Sequence, residues 1–174
     1  MYLGCSNQAA QTAAASQEQE IQLSGAQQEA TANSSVYVGD FVSSMTSMLD
    51  KQDIAYEIGS KMGGNAKADF ENGVYGYPFF QGDTFYVIAM TDDNDNVETV
   101  NCTLKGDDVF SETNLNVLES SVRSFAANLT NEEIQQAAEK IKSGEKSAAA
   151  GDIQFSAEAD DSGVTVGITW VALG

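Results

Sequence analysis

The stretch FYVIAMTDDNDNVETVNCTL, residues 85–104, decides the fold of this chain. It begins with an uninterrupted run of aromatic and aliphatic residues, which is typical of a well-buried strand. The acidic and amide residues 92–96 then predict a tight turn. On the return, Val100, Cys102 and Leu104 alternate with polar residues, as in a strand with one buried face. The stretch therefore predicts two antiparallel strands joined by that turn.

Further strands are predicted just upstream of this pair. Asn72-Gly73 is the strongest short hairpin signal in the chain, and Gln81-Gly82-Asp83 marks another turn. The single proline, Pro78, falls near a predicted strand end, where a missing backbone donor is tolerated. Residues 66–104 therefore predict a meander of about four antiparallel strands.

Three amphipathic helices are predicted around the meander. The first has apolar residues at three- and four-residue spacing, continues through Ile54 and Ile58, and stops at Gly63-Gly64. The second ends close to Leu129. A capping box formed by Thr130 and Glu133 begins the third. The apolar positions are Val38, Phe41, Val42, Met45, Met48 and Leu49 in the first helix; Leu115, Leu118, Val122, Phe125 and Leu129 in the second; and Ile134, Ala137, Ala138 and Ile141 in the third.

The C-terminal residues predict a second hairpin. The third helix exits at Gly144 and is followed by a linker of small residues at 147–151. Residues 153–157 and 164–170 then alternate on either side of an Asp160–Gly163 turn. The predicted fold class is α+β: an antiparallel sheet, made of the meander and this hairpin, packed on one face by an N-terminal helix and an αα-hairpin. We expect a leader and tether at 1–35 and one globular domain at 36–174.

The charge of the chain excludes some functions. The formal net charge is −18, with only eight Lys and Arg residues. A surface that neutralises nucleic-acid phosphates cannot be built from so few cations, and direct docking to anionic lipid is disfavoured for the same reason. The chain also contains no His, the most common general base and metal ligand.

The N-terminal residues Leu3-Gly4-Cys5 resemble the lipobox of bacterial lipoproteins. That resemblance implies lipid attachment at Cys5 and an extracytoplasmic, membrane-anchored location. The following tract, residues 6–35, is rich in Gln, Ala, Ser and Thr and contains no aromatic residue. Such a composition predicts a tether of about 30 Å average span. Because Cys5 lies in the leader and Cys102 in a predicted strand, we expect no disulfide between them.

The densest cluster of aromatic residues lies within residues 75–86. We take it as the candidate binding surface for a protein, a peptide or a glycan, because Tyr and Phe are enriched at interfaces. The alternative is that half of these rings face the core and the other half lie over the sheet. The candidate residues are Tyr75, Tyr77, Phe79, Phe80 and Tyr86.

The acidic turn is a weak candidate calcium site. Asp92, Asn94 and Asn96 have the spacing of a calcium loop, but Val97 replaces the required Gly and no Glu occupies the twelfth position. The length of the return strand places Asp107-Asp108 at the opposite end of the sheet from Asp92. Sequence alone leaves open whether Asp160-Asp161 shares an end with Asp92. Because the calcium-loop pattern is incomplete, we predict no metal site.

No catalytic constellation is evident. The chain has no Gly-x-Ser-x-Gly motif and no His to activate a Ser or Cys nucleophile, and it has no phosphate-binding glycine loop. We predict neither an enzyme nor a bound cofactor. The leading hypothesis is a lipid-anchored binding protein. The alternatives are an inhibitor or immunity-type protein that captures a basic partner and, ranked last, a calcium-dependent module or an enzyme.

Overall fold

The computed structural model describes residues 36–61 and 77–171. Within them the fold is α+β, with one antiparallel sheet of eight strands and three helices. The order in the sheet is β2-β3-β4-β5-β8-β7-β6, and β1 pairs with β5. The strands are β1 Val36–Tyr37, β2 Glu57–Lys61, β3 Tyr77–Gln81, β4 Phe85–Thr91, β5 Asn96–Leu104, β6 Ser147–Ala150, β7 Ile153–Asp160 and β8 Gly163–Trp170; the helices are α1 Val38–Lys51, α2 Glu112–Phe125 and α3 Asn131–Lys142.

The predicted hairpin of residues 85–104 forms the β4–β5 pair at the middle of this sheet. Phe85 pairs with Leu104, and a bulge follows Met90. The C-terminal hairpin β7–β8 joins the meander because β8 pairs antiparallel with β5, with Val164 opposite Leu104. The predicted fold class is therefore confirmed.

The apolar stripes of the helices face the sheet. In α1, Phe41, Met45 and Leu49 are fully buried. The capping box at the start of α3 is also confirmed: the Glu133 N–H donates to Thr130 Oγ1 at 3.2 Å, and the Thr130 N–H donates to Glu133 Oε2 at 2.8 Å. These two bonds satisfy donors that a helix start otherwise leaves unpaired.

The predicted continuation of α1 through Ile54 and Ile58 is wrong. The helix ends at Lys51, because Asp53 takes a left-handed conformation with φ 55°. The Ile54 N–H then donates to the Leu49 carbonyl at 3.0 Å, the bond of a Schellman cap. Ile58 instead lies in β2, an edge strand, and is 47% exposed.

Two other boundaries also differ from the prediction. Leu129 is buried in the loop between α2 and α3, because α2 already ends at Phe125. The stretch predicted as a linker contains the edge strand β6, whose residues Ala148 and Ala150 are buried. The predicted Asn72-Gly73 hairpin and the tract of residues 1–35 lie outside the described residues.

A row of serines lets α1 and α2 approach closely. Ser121 and Ser124 are buried on α2, and the oxygen of each lies 3.9 Å from the Met45 sulfur. On the sheet side, Cys102 is fully buried as a small apolar residue, as expected. Burial raises the pKa of its thiol to about 12, which keeps it protonated and unreactive.

Candidate functional site

The face of the sheet turned away from the helices is the candidate site, and we call it the outer face. Alternation along β4 defines the two faces: Phe85, Val87 and Ala89 are buried against the helices, whereas Tyr86, Ile88 and Met90 lie between them in sequence and are only partly buried. Successive side chains of a strand point to opposite faces, so the second set projects from the outer face. All three described helices pack on the other face.

Strand register shows that the outer face has two halves. β3 and β4 carry mainly aromatic and aliphatic side chains, whereas β5, β8 and β7 carry mainly hydroxyl and amide side chains, together with the carboxylate of Glu158 on β7. One row across the sheet, from β2 to β6, consists of Gly59, Phe79, Ile88, Asn101, Gly167, Ser156 and Ser147. We define the outer aromatic patch as the apolar side chains of β3 and β4 on this face: Tyr77, Phe79, Tyr86, Ile88 and Met90. Gln81, at the end of β3, is polar and is not included.

Two rings of this patch, those of Phe79 and Tyr86, pack against each other. The centroids of Phe79 and Tyr86 lie 5.3 Å apart with 31° between the planes, within the favourable range for aromatic pairs. Phe79 also covers Gly59 on β2 so closely that a Cβ there would lie 2.5 Å from the ring. Glycine at this position therefore lets the ring lie flat on the sheet. Partial burial raises the pKa of the Tyr86 hydroxyl.

The polar half is lined by short side chains. The hydroxyl oxygens of Thr103 and Thr165 lie 3.0 Å apart across β5 and β8. Beside them, Gly167 lies between Asn101 and Ser156, and it leaves room for the Ser156 hydroxyl: an added Cβ would lie 2.7 Å from that oxygen. Amide and hydroxyl groups therefore lie directly beside the outer aromatic patch.

The predicted binding residues separate between the two faces. Tyr77, Phe79 and Tyr86 lie together on the outer face. Phe80 does not belong to this surface: it is fully buried and packs against the Tyr56 ring at 5.6 Å, because alternation turns it inward. Tyr75 lies outside the described residues.

Sequence reasoning missed Ile88 and Met90 as members of the surface. They belong to a run of six apolar residues that was predicted as a well-buried strand. Such a run does not reveal which of its alternate positions remains uncovered. The polar residues of β5, which alternate with Val100 and Cys102, were the available signal, because they lie beside Ile88 and Met90 on the same face.

The acidic turn is organised by its own hydrogen bonds. Asp92 Oδ1 accepts from the backbone N–H of Asn94 at 2.8 Å and of Asn96 at 2.9 Å, and Oδ2 accepts from the Asn96 side-chain amide at 3.2 Å. The bond from the Asn96 backbone is the main cause that lowers the Asp92 pKa. The Asp95 carbonyl accepts the Val38 N–H at 2.8 Å, which fixes the start of α1. The turn therefore has a structural role.

The two acidic hairpin turns lie at opposite ends of the sheet. Asp160 closes the β7–β8 hairpin beside the Leu104 end of β5, whereas Asp92 precedes the Asn96 end of the same strand. A site shared by these two turns is therefore ruled out. Within residues 36–61 and 77–171, no three Cys, Asp or Glu side chains cluster as a metal site would require.

No protein-family model, curated protein or solved structure matches the chain. In the part of the chain that the structure describes, no helix is long and apolar enough to cross a membrane.

Proposed function

We propose that this chain is a lipid-anchored, extracytoplasmic bacterial protein whose domain binds a partner without catalysis. The single observation that supports binding most strongly is the outer aromatic patch, which none of the described helices covers. The proposed location follows from Leu3-Gly4-Cys5, with Cys5 as the lipid-bearing residue and residues 6–35 as the tether.

The chemistry of the outer aromatic patch favours a protein partner over a glycan. Tyr, Phe and Met are enriched at protein interfaces, and charged residues are depleted from their centres. The patch fits this pattern, because Tyr86, Phe79 and Ile88 are neighbours on two strands and none of its five members is charged. Rigid rings lose little entropy on binding. The hydroxyl and amide groups of β5 and β8 then supply a polar border.

Three observations support a non-catalytic role. The thiol of Cys102 is buried, and its pKa is raised to about 12. The carboxylate of Asp92 is occupied by hydrogen bonds that build the turn. The chain contains no His. Cys102 and Asp92 therefore have structural roles.

A second candidate is an inhibitor or immunity-type protein that captures a basic partner. The net charge of −18 supports it. Ionic strength separates the two candidates: electrostatic capture weakens steeply with added salt, whereas binding through an apolar patch persists.

Anchoring is tested by comparing the full chain with Cys5→Ser in a bacterial host that processes lipoproteins. We expect the unchanged chain in the membrane fraction, with mass spectrometry showing a lipid on Cys5, and the variant in the soluble fraction. An unmodified Cys5 in the soluble fraction would contradict the anchor.

Binding is tested by capturing envelope proteins with the immobilised full chain. The variant Phe79→Ser/Tyr86→Ser alters the outer aromatic patch, and Met48→Ser, on α1, is the control on the helical side. We expect the captured protein to be lost with the first variant and retained with the second. Equal capture by both variants, or capture of glycan alone, would contradict a protein partner on this patch.

A further inference from the structure

A second surface lies on the helical side of the molecule. A groove of about 500 Å³ runs between α2 and α3. It exists because the two helices pack on different parts of the fold: α2 lies against α1 and the strands β4 and β5, whereas α3 lies over β6. The helices are therefore joined at the Phe125–Asn131 connection but leave space along their length.

The floor of the groove is apolar. Leu115 of α2 and Ala138 of α3 are half-buried and line it from opposite sides, Ile134 is 2% exposed beneath them, and Phe110 lies at one end. Leu115 was predicted to belong to the buried stripe of its helix. Leu118, Val122 and Phe125 of that stripe are buried as predicted. Leu115 is the exception, because it remains partly accessible within the groove.

The rim of the groove is predominantly acidic. Glu112 and Glu119 line it from α2 and Glu139 from α3, and Lys142 is the one basic side chain of the lining. Arg123 Nε contacts Glu119 Oε1 at 3.0 Å, which partly offsets that charge. Glu112 and Glu139 are exposed. The rim therefore complements a positively charged ligand.

We propose that this groove binds a basic, amphipathic helical segment of a partner protein. Glu112 to Glu119 spans about 10 Å of helix axis, or two turns, which matches the anchor spacing of helix-in-groove recognition. Apolar anchors of the segment contact Leu115 and Ala138, and its Lys or Arg residues contact the rim. This site is independent of the outer aromatic patch, which lies on the other face of the sheet.

Charge also argues that the occupant is another protein. Residues 6–35 of this chain contain Glu but neither Lys nor Arg, so they lack the basic residues that the rim selects. A second copy of the chain brings a net charge of −18 against an acidic rim, and like charges disfavour that contact.

The experiment uses the full chain and a synthetic peptide of Leu and Lys in the amphipathic helical order LKKLLKLLKKLLKL. A scrambled peptide of the same composition and a version with every Lys replaced by Glu are the controls. We expect the amphipathic peptide to bind, with an affinity that falls as salt is added, and both controls to bind at least about ten times more weakly. Equal binding of the scrambled peptide would overturn the proposal, because only total charge would then matter.

Variants locate the bound peptide. Glu112→Gln/Glu139→Gln removes two rim charges, and Glu145→Gln/Glu158→Gln is the matched control, with two exposed carboxylates removed elsewhere. We expect the rim variant to weaken binding roughly five-fold and the control less than two-fold. Ala138→Trp fills the groove without changing charge and should reduce affinity about ten-fold. Equal losses in both charge variants, or unchanged binding in Ala138→Trp, would overturn the proposal.

Discussion

The rings of Phe79 and Tyr86 lie 5.3 Å apart on the face of the sheet that the three described helices leave uncovered. This pair belongs to neighbouring strands, β3 and β4, and is held by cross-strand packing. Because both rings are only partly buried, part of their area remains available for a partner.

Replacing these rings should therefore have little effect on the fold. We expect Phe79→Ala and Tyr86→Ala each to lower the free energy of unfolding by about 1 kcal/mol. In contrast, Phe80→Ala, one residue from Phe79 but fully buried, should cost about 4 kcal/mol. Chemical denaturation measures all three. A loss at Phe79 as large as that at Phe80 would show that the outer ring is a core residue.

Buried Asn114 should be essential for stability. Its Oδ1 accepts the Thr84 hydroxyl at 2.7 Å, and its Nδ2 donates to the Lys105 and Val109 carbonyls at 3.0 and 2.8 Å. We expect Asn114→Ala to cost about 3 kcal/mol, because these buried groups lose their partner. Thr84→Val removes one bond and should cost about 1 kcal/mol. If urea denaturation gives the same loss of unfolding free energy for Asn114→Ala and Thr84→Val, Asn114 does not contribute more than its single bond to Thr84.

The contact between α1 and α2 should reject larger side chains. Ser121 is fully buried against Met45 and donates to the Val117 carbonyl at 2.8 Å. We expect Ser121→Leu to destabilise the fold by about 2 kcal/mol through overpacking, and Ser43→Leu, at an exposed position of α1, to change stability by less than about 0.5 kcal/mol. Thermal melting compares them, and a tolerated Ser121→Leu would indicate a loose helix pair.

Acid should weaken the β4–β5 turn through Asp92. Hydrogen bonds hold its pKa below the ordinary value, so folding favours the ionised carboxylate. The resulting stability is complete above a pH of about 4 and is lost as the pH falls through the folded pKa. We therefore expect Asp92→Ala to be less stable than the unchanged chain at a pH of about 7, with a smaller difference at a pH of about 2.5.

Asn94→Ala is the control for this titration. It keeps the Asp92 carboxylate and the backbone N–H that contacts it, so its melting temperature should follow the acid dependence of the unchanged chain. If the effect of Asp92→Ala is the same at both pH values, the ionised carboxylate contributes nothing to the turn.

Two helix ends show how far the sequence predicts this fold. The exit of α3 was predicted from Gly144, and the structure confirms it: Gly144 has φ 100°, and the Glu145 N–H bonds the Lys140 carbonyl at 3.1 Å. The end of α1 has the same cap, but Asp53 takes the left-handed position. Asp adopts this conformation far less often than Gly, so Asp53 gives no clear stop signal in the sequence. The apolar spacing at Ile54 and Ile58 therefore predicts a longer helix than the structure has.

The candidate site was predictable only in part. Alternation identifies two faces for each strand, but it does not show which face the helices cover, because that depends on contacts distant in sequence. Phe80 was thus assigned to the binding surface although it is in the core. The burial of Ser121 and Ser124 on α2 was not predicted for the same reason. Both residues are polar, and only the close approach of Met45 explains why they are buried.

Site-specific photo-crosslinking in cells tests whether the outer aromatic patch contacts a partner protein. The full chain carries a photoreactive residue at Ile88, within the patch, or at Ser47, an exposed position of α1. We expect irradiation to join the Ile88 chain to a discrete envelope protein, and Ser47 to give no such adduct. No protein adduct from Ile88, or the same adduct from both positions, would contradict a partner on the outer aromatic patch.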